Sequence, residues 1–189
     1  IVGTATTSVQ AARAQREAAR AQSDAAALDA FTRLVFDGLD RMLPDASEKN
    51  EVSAFLHIVD GLSDQLDTIE SFPESHWHAA MKLAGYYSTF NELDRAIECH
   101  RTAIDSLTRT GDPVRLLYPL RRLARDQLRA SYFADALETA QRADEIVEGV
   151  ESLQRDEVEQ VRYLEMNAIA GLGDLDGAMQ MNDDLLRVY

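Results

Sequence analysis

The sequence predicts an all-α protein built from consecutive helical hairpins, and three observations support this fold class. Helix-favouring residues dominate the composition, and only 9 glycines and 4 prolines interrupt the 189 residues. Alternation of polar and apolar residues, the pattern of a half-buried strand, is nearly absent. A short motif at 93–97 also returns at 133–137 and 175–179, with its alanines 40 and 42 residues apart. Because each copy joins two helical segments, the spacing predicts a solenoid of two-helix repeats.

The charge of the chain restricts its partners. There are 33 acidic and 19 basic side chains, which gives a formal net charge of −14. An acidic surface repels nucleic acids and anionic membranes, so we expect neither as a partner. The single cysteine, Cys99, forms no disulfide within the chain and is expected to lie buried on a helix.

The N-terminal part reads as one long helix from about residue 8 to residue 43. Its first half is rich in alanine, arginine and glutamine, and its second half carries apolar residues three and four apart: Leu28, Phe31, Leu34, Val35, Leu39 and Met42. Pro44 ends this helix. We expect residues 1–45 to form a linker or juxtamembrane helix, and residues 46–75 to hold a degenerate capping helix at about 47–69.

Residues 76–189 are expected to form three helical hairpins. The apolar periodicity and the turn residues predict helices at about 71–90, 93–110, 113–130, 133–148, 152–171 and 175–188. Pro119 falls inside the third of these segments. That helix therefore either begins near Leu117 or kinks at the proline.

The side-chain pattern of these hairpins resembles the tetratricopeptide repeat. The first copy offers Leu83, Ala84, Tyr87, Asn91, Leu93, Ala96 and Ala103; the second Leu123, Ala124, Phe133, Ala136, Ala140 and Ala143; the third Ile169, Gly173, Leu175, Ala178 and Leu185. Gln127 departs from the family where an aromatic residue is usual, and Glu165 where leucine is usual. The period resembles the long variants of about 42 residues, as in kinesin light chains. The resemblance implies a right-handed superhelix of antiparallel hairpins that binds proteins or peptides in a concave groove.

The N-terminal third supports a second resemblance. Three small or apolar residues, Ile1-Val2-Gly3, precede an Ala/Arg-rich helix at 11–22, a Phe/Leu-rich stretch and the repeats. This order is similar to the C-terminal extracytoplasmic region of bacterial membrane-anchored serine/threonine protein kinases. The resemblance implies that a membrane span ends at Ile1-Val2-Gly3 and that the chain is a sensor or scaffold outside the membrane. Homodimerisation through the first helix is a further expectation, and the alternative is a cytoplasmic scaffold or adaptor unconnected with a kinase.

The sequence contains no constellation of residues typical of catalysis. It lacks a glycine-rich phosphate loop, an HExxH motif, paired CxxC motifs and the kinase signatures. His76 and His78 lie near Glu74, but on a helix they point about 200° apart and do not share a metal ion. We therefore expect no catalysis, no cofactor and no metal in this chain. An enzyme with its site inside the superhelix is a third interpretation.

A cluster of arginines is the strongest candidate for a binding site. Five lie within fifteen residues: Arg115, Arg121, Arg122, Arg125 and Arg129. The repeat resemblance places a stripe of three of them on the concave face, together with four residues of the neighbouring repeats; the candidate set is Arg121, Arg125, Arg129, Tyr163, Asn167, Met81 and His78. Guanidinium groups, an amide and an aromatic ring suit an extended peptide that carries carboxylates. The alternative is that the arginines pair with acidic residues of neighbouring helices.

Overall fold

A computed structural model describes residues 3–45, 47–150 and 155–187, and for residues 3–9, 12, 186 and 187 it describes the backbone alone. Within these ranges the chain forms eight α-helices and two short 3-10 helices and contains no strand. The predicted all-α class is confirmed. The chain divides into two compact units, Ile1–Leu43 and Pro44–Tyr189.

The first unit is a single helix, α1 (Gly3–Arg41), as the absence of helix breakers predicts. Of its expected apolar stripe, Leu39 is buried, whereas Phe31 and Leu34 are 62% and 68% exposed. Across the described ranges, no helix combines the length and the apolar character that crossing a membrane requires. Ile1 and Val2, which belong to the expected end of a membrane span, lie outside the described residues.

The second unit contains seven α-helices in its described part. They are α2 (Lys49–Ser63), α3 (Pro73–Thr89), α4 (Leu93–Thr108), α5 (Leu117–Arg129), α6 (Phe133–Glu148), α7 (Arg155–Gly171) and α8 (Leu175–Arg187). Each helix from α3 to α8 packs on the next one along the chain, and α5 also packs on α7. The expected starting residues 152–154 of α7 and residue 188 of α8 lie outside the described ranges.

The bounds of two helices bear on the sequence predictions, one by correcting a prediction and one by deciding between two alternatives. The helix expected over 47–69 ends at Ser63, and a 3-10 turn (Leu66–Ile69) follows it, so the expectation of one continuous helix was wrong. The break turns the chain so that Leu66 is buried. In the other case, α5 begins at Leu117, the first of the two expected outcomes, which places Pro119 in its first turn. Backbone N–H groups in a first turn have no partner within the helix, so proline costs no hydrogen bond there.

The same turn joins the two helices of each consecutive pair, α3–α4, α5–α6 and α7–α8. One residue in each turn has a left-handed backbone: Asn91 (φ 64°), Ser131 (φ 63°) and Gly173 (φ 92°). The residue after it donates its N–H to the carbonyl five positions earlier, at 2.8, 2.8 and 3.2 Å. This is the Schellman pattern of a helix C-terminus. The recurring motif of the sequence therefore coincides with a recurring turn.

Small residues allow the helices of the second unit to pack closely. Nine alanines of the described part are at most 1% exposed: Ala80, Ala84, Ala96, Ala103, Ala124, Ala136, Ala140, Ala143 and Ala168. Larger side chains from α4 to α7 fill the remaining space, among them Leu107, Leu120 and Val161. At the end of α7, Gly171 lies so close to the ring of Phe133 that a β-carbon would overlap it. The helices that bear the polar side chains of α5 and α7 are thus closely packed against their neighbours.

Candidate functional site

A cleft of about 880 Å³ lies along α5 and α7, and we call it the α5–α7 cleft. Helix α5 contributes Arg125, Leu128 and Arg129, and Phe133 begins α6. The remaining lining residues come from α7 and α8: Asp156, Glu159, Gln160, Tyr163, Leu164, Asn167 and Leu185. On α7 these residues recur every three or four positions, so they form one face of that helix.

The lining combines an apolar floor with two walls of opposite charge. Leu128, Phe133, Leu164 and Leu185 provide the apolar surface. Helix α5 supplies the guanidinium groups, whereas the first turns of α7 supply the carboxylates of Asp156 and Glu159. An apolar surface with basic groups from one helix and acidic groups from another can bind an apolar side chain and orient the charged groups beside it.

The polar and aromatic side chains of α7 in this cleft differ in their exposure and in the hydrogen bonds that they already form. Tyr163 is 59% exposed, so most of its ring is open to a ligand. Asn167 donates from Nδ2 to the carbonyl of Tyr163 at 2.6 Å, within the same helix. Glu159 accepts from Arg155 Nε at 2.9 Å, so its charge is partly compensated. Tyr163 and Asp156 are therefore the more available groups on this side of the cleft.

The arginines of α5 fall into two groups. Arg129 is fixed in place: Nη1 donates to Ser88 Oγ at 2.6 Å and to Asp126 Oδ1 at 3.1 Å, and Nη2 donates to the Ser88 carbonyl and to Asn91. Arg121 and Arg125 form no ion pair or hydrogen bond with any residue in the described part of the chain. Arg125 is thus a cation in the cleft without a protein counter-ion there.

The fifth arginine, Arg115, also has a structural partner. It binds Glu74 through two short hydrogen bonds of 2.6 and 2.7 Å, and its guanidinium lies 5.3 Å from the centre of the Trp77 ring. The hydrogen bond from Arg115 is the main reason why the pKa of Glu74 falls to about 2. Pairing with an acidic residue of a neighbouring helix, the alternative that the sequence left open, therefore applies to Arg115, whereas the acidic partner of Arg129 is Asp126 of the same helix.

A second cleft, of about 310 Å³, is lined by residues of α3, α4 and α5, and we call it the α3–α5 cleft. Helix α3 contributes Gly85, Ser88 and Thr89, and α4 contributes His100. From α5 come four residues: Arg122, Arg125, Asp126 and Arg129. Arg125 and Arg129 line both clefts, so the two clefts adjoin at these residues.

Asp126 organises the inner wall of the α3–α5 cleft. Its side chain is 4% exposed; Oδ1 accepts from Ser88 Oγ at 2.7 Å, and Oδ2 lies 3.1 Å from His100 Nε2. Burial raises the pKa of this carboxyl, but the hydrogen bonds of His100 and Ser88 and the charge of Arg129 outweigh it. The net effect is that the pKa of Asp126 lies below its usual value. The carboxylate is ionised and holds Arg129 in the cleft.

The candidate residues from the sequence are distributed as follows. Arg125, Arg129, Tyr163 and Asn167 lie in the α5–α7 cleft. The other three, Arg121, Met81 and His78, are half-buried and line neither cleft, and the ring of His78 packs edge-on against Trp77.

Several residues of the two clefts are absent from the candidate set that the sequence predicted, among them Arg122, Asp126 and His100. Arg122 had a visible signal, because it lies three and seven positions before Arg125 and Arg129 and so shares their helix face. Asp126 and His100 had none, since their contact joins two helices 26 residues apart.

Metal ligation is not supported by any group of side chains within the described ranges, where no three His, Cys, Asp or Glu residues are close enough to hold an ion. His76 is buried and its Nδ1 is hydrogen-bonded to Ser106 Oγ, and burial is the main cause that lowers the pKa of this histidine. It serves the packing of α3 on α4.

No family model matches this chain, and its sequence matches no curated protein. The class of protein is therefore defined by the fold and the two clefts. It is an all-α protein of packed helical pairs with a charged groove along α5.

Proposed function

We propose that this chain is a non-catalytic binding module that holds an extended peptide segment of a partner protein in the α5–α7 cleft. The observation that carries the proposal is Arg125, a cation without a counter-ion in the described part of the chain, at the edge of an apolar floor. An unpaired charge at an apolar surface is typical of a recognition site, because a carboxylate of the ligand can form the missing ion pair.

The turns support the repeat architecture on which this proposal builds. Three identical turns at 91, 131 and 173, each followed by a buried alanine, fit a tetratricopeptide-like solenoid of three hairpins. In that architecture the first helix of each hairpin lines the concave groove. The two clefts lie along α3, α5 and α7, which are those first helices.

The charges of the cleft indicate the ligand more narrowly than the sequence did. An acidic peptide alone would be repelled by Asp156, for which the described residues provide no ion pair. A peptide with an apolar side chain, a carboxylate on one side and a basic residue on the other matches all three parts of the lining. We therefore propose an acidic–apolar–basic segment as the ligand, in place of a purely acidic one.

A peptide library tests this proposal. We expect a randomised twelve-residue library, selected on the isolated chain, to yield peptides with this pattern. Arg125→Glu should weaken the selected peptide at least tenfold in fluorescence anisotropy, because it replaces a charge-assisted hydrogen bond by repulsion. Arg121→Glu is the matched control: it reverses the same charge one turn away, outside both clefts, and should leave Kd unchanged. Equal losses in both variants would contradict the proposal.

The wider context we propose is the extracytoplasmic regulatory part of a bacterial membrane-anchored serine/threonine kinase. The order of apolar residues, Ala/Arg-rich helix and long-period repeats supports it. A cytoplasmic scaffold or adaptor is the alternative. The gene upstream of Ile1 decides between them, because a kinase domain followed by an apolar span of about 20 residues would be found only in the first case.

Sedimentation equilibrium tests the proposed homodimerisation through α1, which a monomer at high concentration would contradict.

A further inference from the structure

The α3–α5 cleft concentrates positive charge in a chain that is strongly acidic. Arg122, Arg125 and Arg129 share one face of α5, at spacings of three and four residues. The guanidinium of Arg122 lies 5.7 Å from the centre of the Tyr118 ring, a contact that orients it without neutralising it. Neither Arg122 nor Arg125 forms an ion pair with the described residues.

The carboxylate in this cleft does not cancel these two charges. Both carboxylate oxygens of Asp126 already have partners: Ser88 and Arg129 bind Oδ1, and His100 lies against Oδ2. Asp126 and Arg129 together form a neutral pair, of which the carboxylate side chain is 4% exposed. The cleft therefore has two uncompensated positive charges beside a buried, hydrogen-bonded wall.

We propose that the α3–α5 cleft binds a phosphate monoester, namely a phosphorylated side chain of the peptide held in the α5–α7 cleft. A phosphoserine or phosphothreonine carries a charge of about −1.5 to −2 at neutral pH and three strong acceptor oxygens. At the acidic position of the peptide, this charge balances Arg122 and Arg125 together, whereas the carboxylate that it replaces balances only Arg125. Two guanidinium groups on adjacent turns are suited to binding such a group through paired hydrogen bonds.

The two residues shared by the clefts favour a peptide as the carrier of the phosphate. Arg125 and Arg129 line both clefts, so one extended chain can place its apolar side chain in one and its phosphate in the other. This inference rests on the proposed peptide-binding function. It adds that phosphorylation of the partner strengthens binding.

The test compares phosphorylated and unphosphorylated forms of one peptide selected on the α5–α7 cleft. A phosphoserine is placed in turn at each position flanking the apolar residue, and Kd is measured by fluorescence anisotropy. We expect at least tenfold tighter binding for one phosphorylated form, and loss of this gain in Arg122→Gln. The unphosphorylated peptide should bind Arg122→Gln as well as it binds the native chain, because Arg122 lines only the α3–α5 cleft. Arg121→Gln is the matched control and should retain the gain.

Two further arms separate the failure of this inference from failure of the proposed function. If phosphorylation brings no gain at any position, or if Arg122→Gln retains the gain, the inference is wrong while peptide binding stands. If no peptide binds at all, the proposed function fails, and with it the peptide as carrier. O-phosphoserine and inorganic phosphate, titrated by ³¹P NMR, test the anion site itself: Arg122-dependent line broadening supports it, and no broadening with either probe overturns it.

Discussion

At the scale of single residues, Asp126 connects three helices of the second unit. It lies on α5 and is bound by Ser88 of α3 and His100 of α4, as well as by Arg129 one turn further along its own helix. Because the carboxylate side chain is 4% exposed, its removal would leave buried groups unpaired: His100 Nε2 and the Ser88 hydroxyl would lose their partner, and Arg129 its counter-ion. Asp126 thus supports both the packing of α5 and the position of the cleft arginines.

Replacing Asp126 should therefore destabilise the fold. We expect Asp126→Ala to lower the free energy of unfolding by about 3 kcal/mol, since it leaves buried polar groups and a guanidinium unpaired. Urea unfolding followed by circular dichroism measures this change. Asp105→Ala, at an exposed aspartate of α4, is the control and should change stability by less than about 0.5 kcal/mol. A loss below about 1 kcal/mol for Asp126→Ala would show that the network contributes little.

The contact between Glu74 and Arg115 gives the stability a defined dependence on pH. The pKa of Glu74 is about 2 in the folded chain against an ordinary value of 4.5. A carboxyl with a lowered pKa stabilises the fold fully above pH 4.5, and this contribution is lost as the pH falls towards 2. Because the side chain is 59% exposed, solvent screening limits the contribution to less than about 1 kcal/mol.

Glu74→Gln tests this dependence. We expect the variant to be slightly less stable than the native chain at pH 7 and to match it near pH 2. The fluorescence of Trp77, the only tryptophan of the chain, follows unfolding at the contact itself, because its Nε1 donates to Glu74 at 3.0 Å. A stability difference that stays constant between pH 7 and pH 2 would exclude a role for the ionised carboxylate.

At the scale of helices and turns, the left-handed residues define the hairpins. A side chain at a positive φ clashes with its own backbone, which is why glycine is preferred at this position. Gly173 has φ 92°, and a β-carbon built on it meets no atom within 4 Å. A side chain at position 173 would therefore lower the free energy of unfolding only through the strained backbone conformation, and not through a clash with other atoms.

Two glycine substitutions should have opposite effects. We expect Gly173→Ala to destabilise the chain by about 1 kcal/mol because of its left-handed backbone. Gly61→Ala, in the exposed face of α2 and with the same free space, should stabilise it by about 0.5–1 kcal/mol, because alanine loses less entropy in a helix. Thermal or urea unfolding of both variants measures the signs. Equal signs would contradict the assignment of the turn.

The helices show which features could be predicted from sequence. The bounds of α6 and the start of α4 and α8 follow from apolar periodicity and turn residues, which act locally. The end of α2 at Ser63 was not predictable, because it depends on burying Leu66 against other elements. The same holds for the site: the face with Arg125 and Arg129 is local information, whereas the bond from His100 to Asp126 exists only after α4 and α5 pack.

At the scale of the whole molecule, charge is distributed unevenly. The chain carries a net charge of −14, yet the described part of α5 presents Arg122 and Arg125 without ion-pair partners. A local basic site on an acidic protein binds anionic groups while the surrounding surface repels polyanions. We therefore expect the affinity of a selected peptide to fall as ionic strength rises from 50 to about 500 mM, which isothermal titration at several salt concentrations measures. Salt-independent affinity would leave only the apolar floor as the binding surface.

The central claim is that recognition takes place along α5 and α7, and hydrogen exchange with and without a selected peptide tests it most directly. Amides of α5 and of the first turns of α7 should gain protection when the peptide is bound, because the ligand covers this face and holds both helices together. Amides of α1, and of α6 beyond its first turn, should not change, because Phe133 is the one residue of α6 that lines either of these clefts. Protection confined to α1 or to the later turns of α6 would contradict the account, because it would place binding on a surface that neither cleft includes.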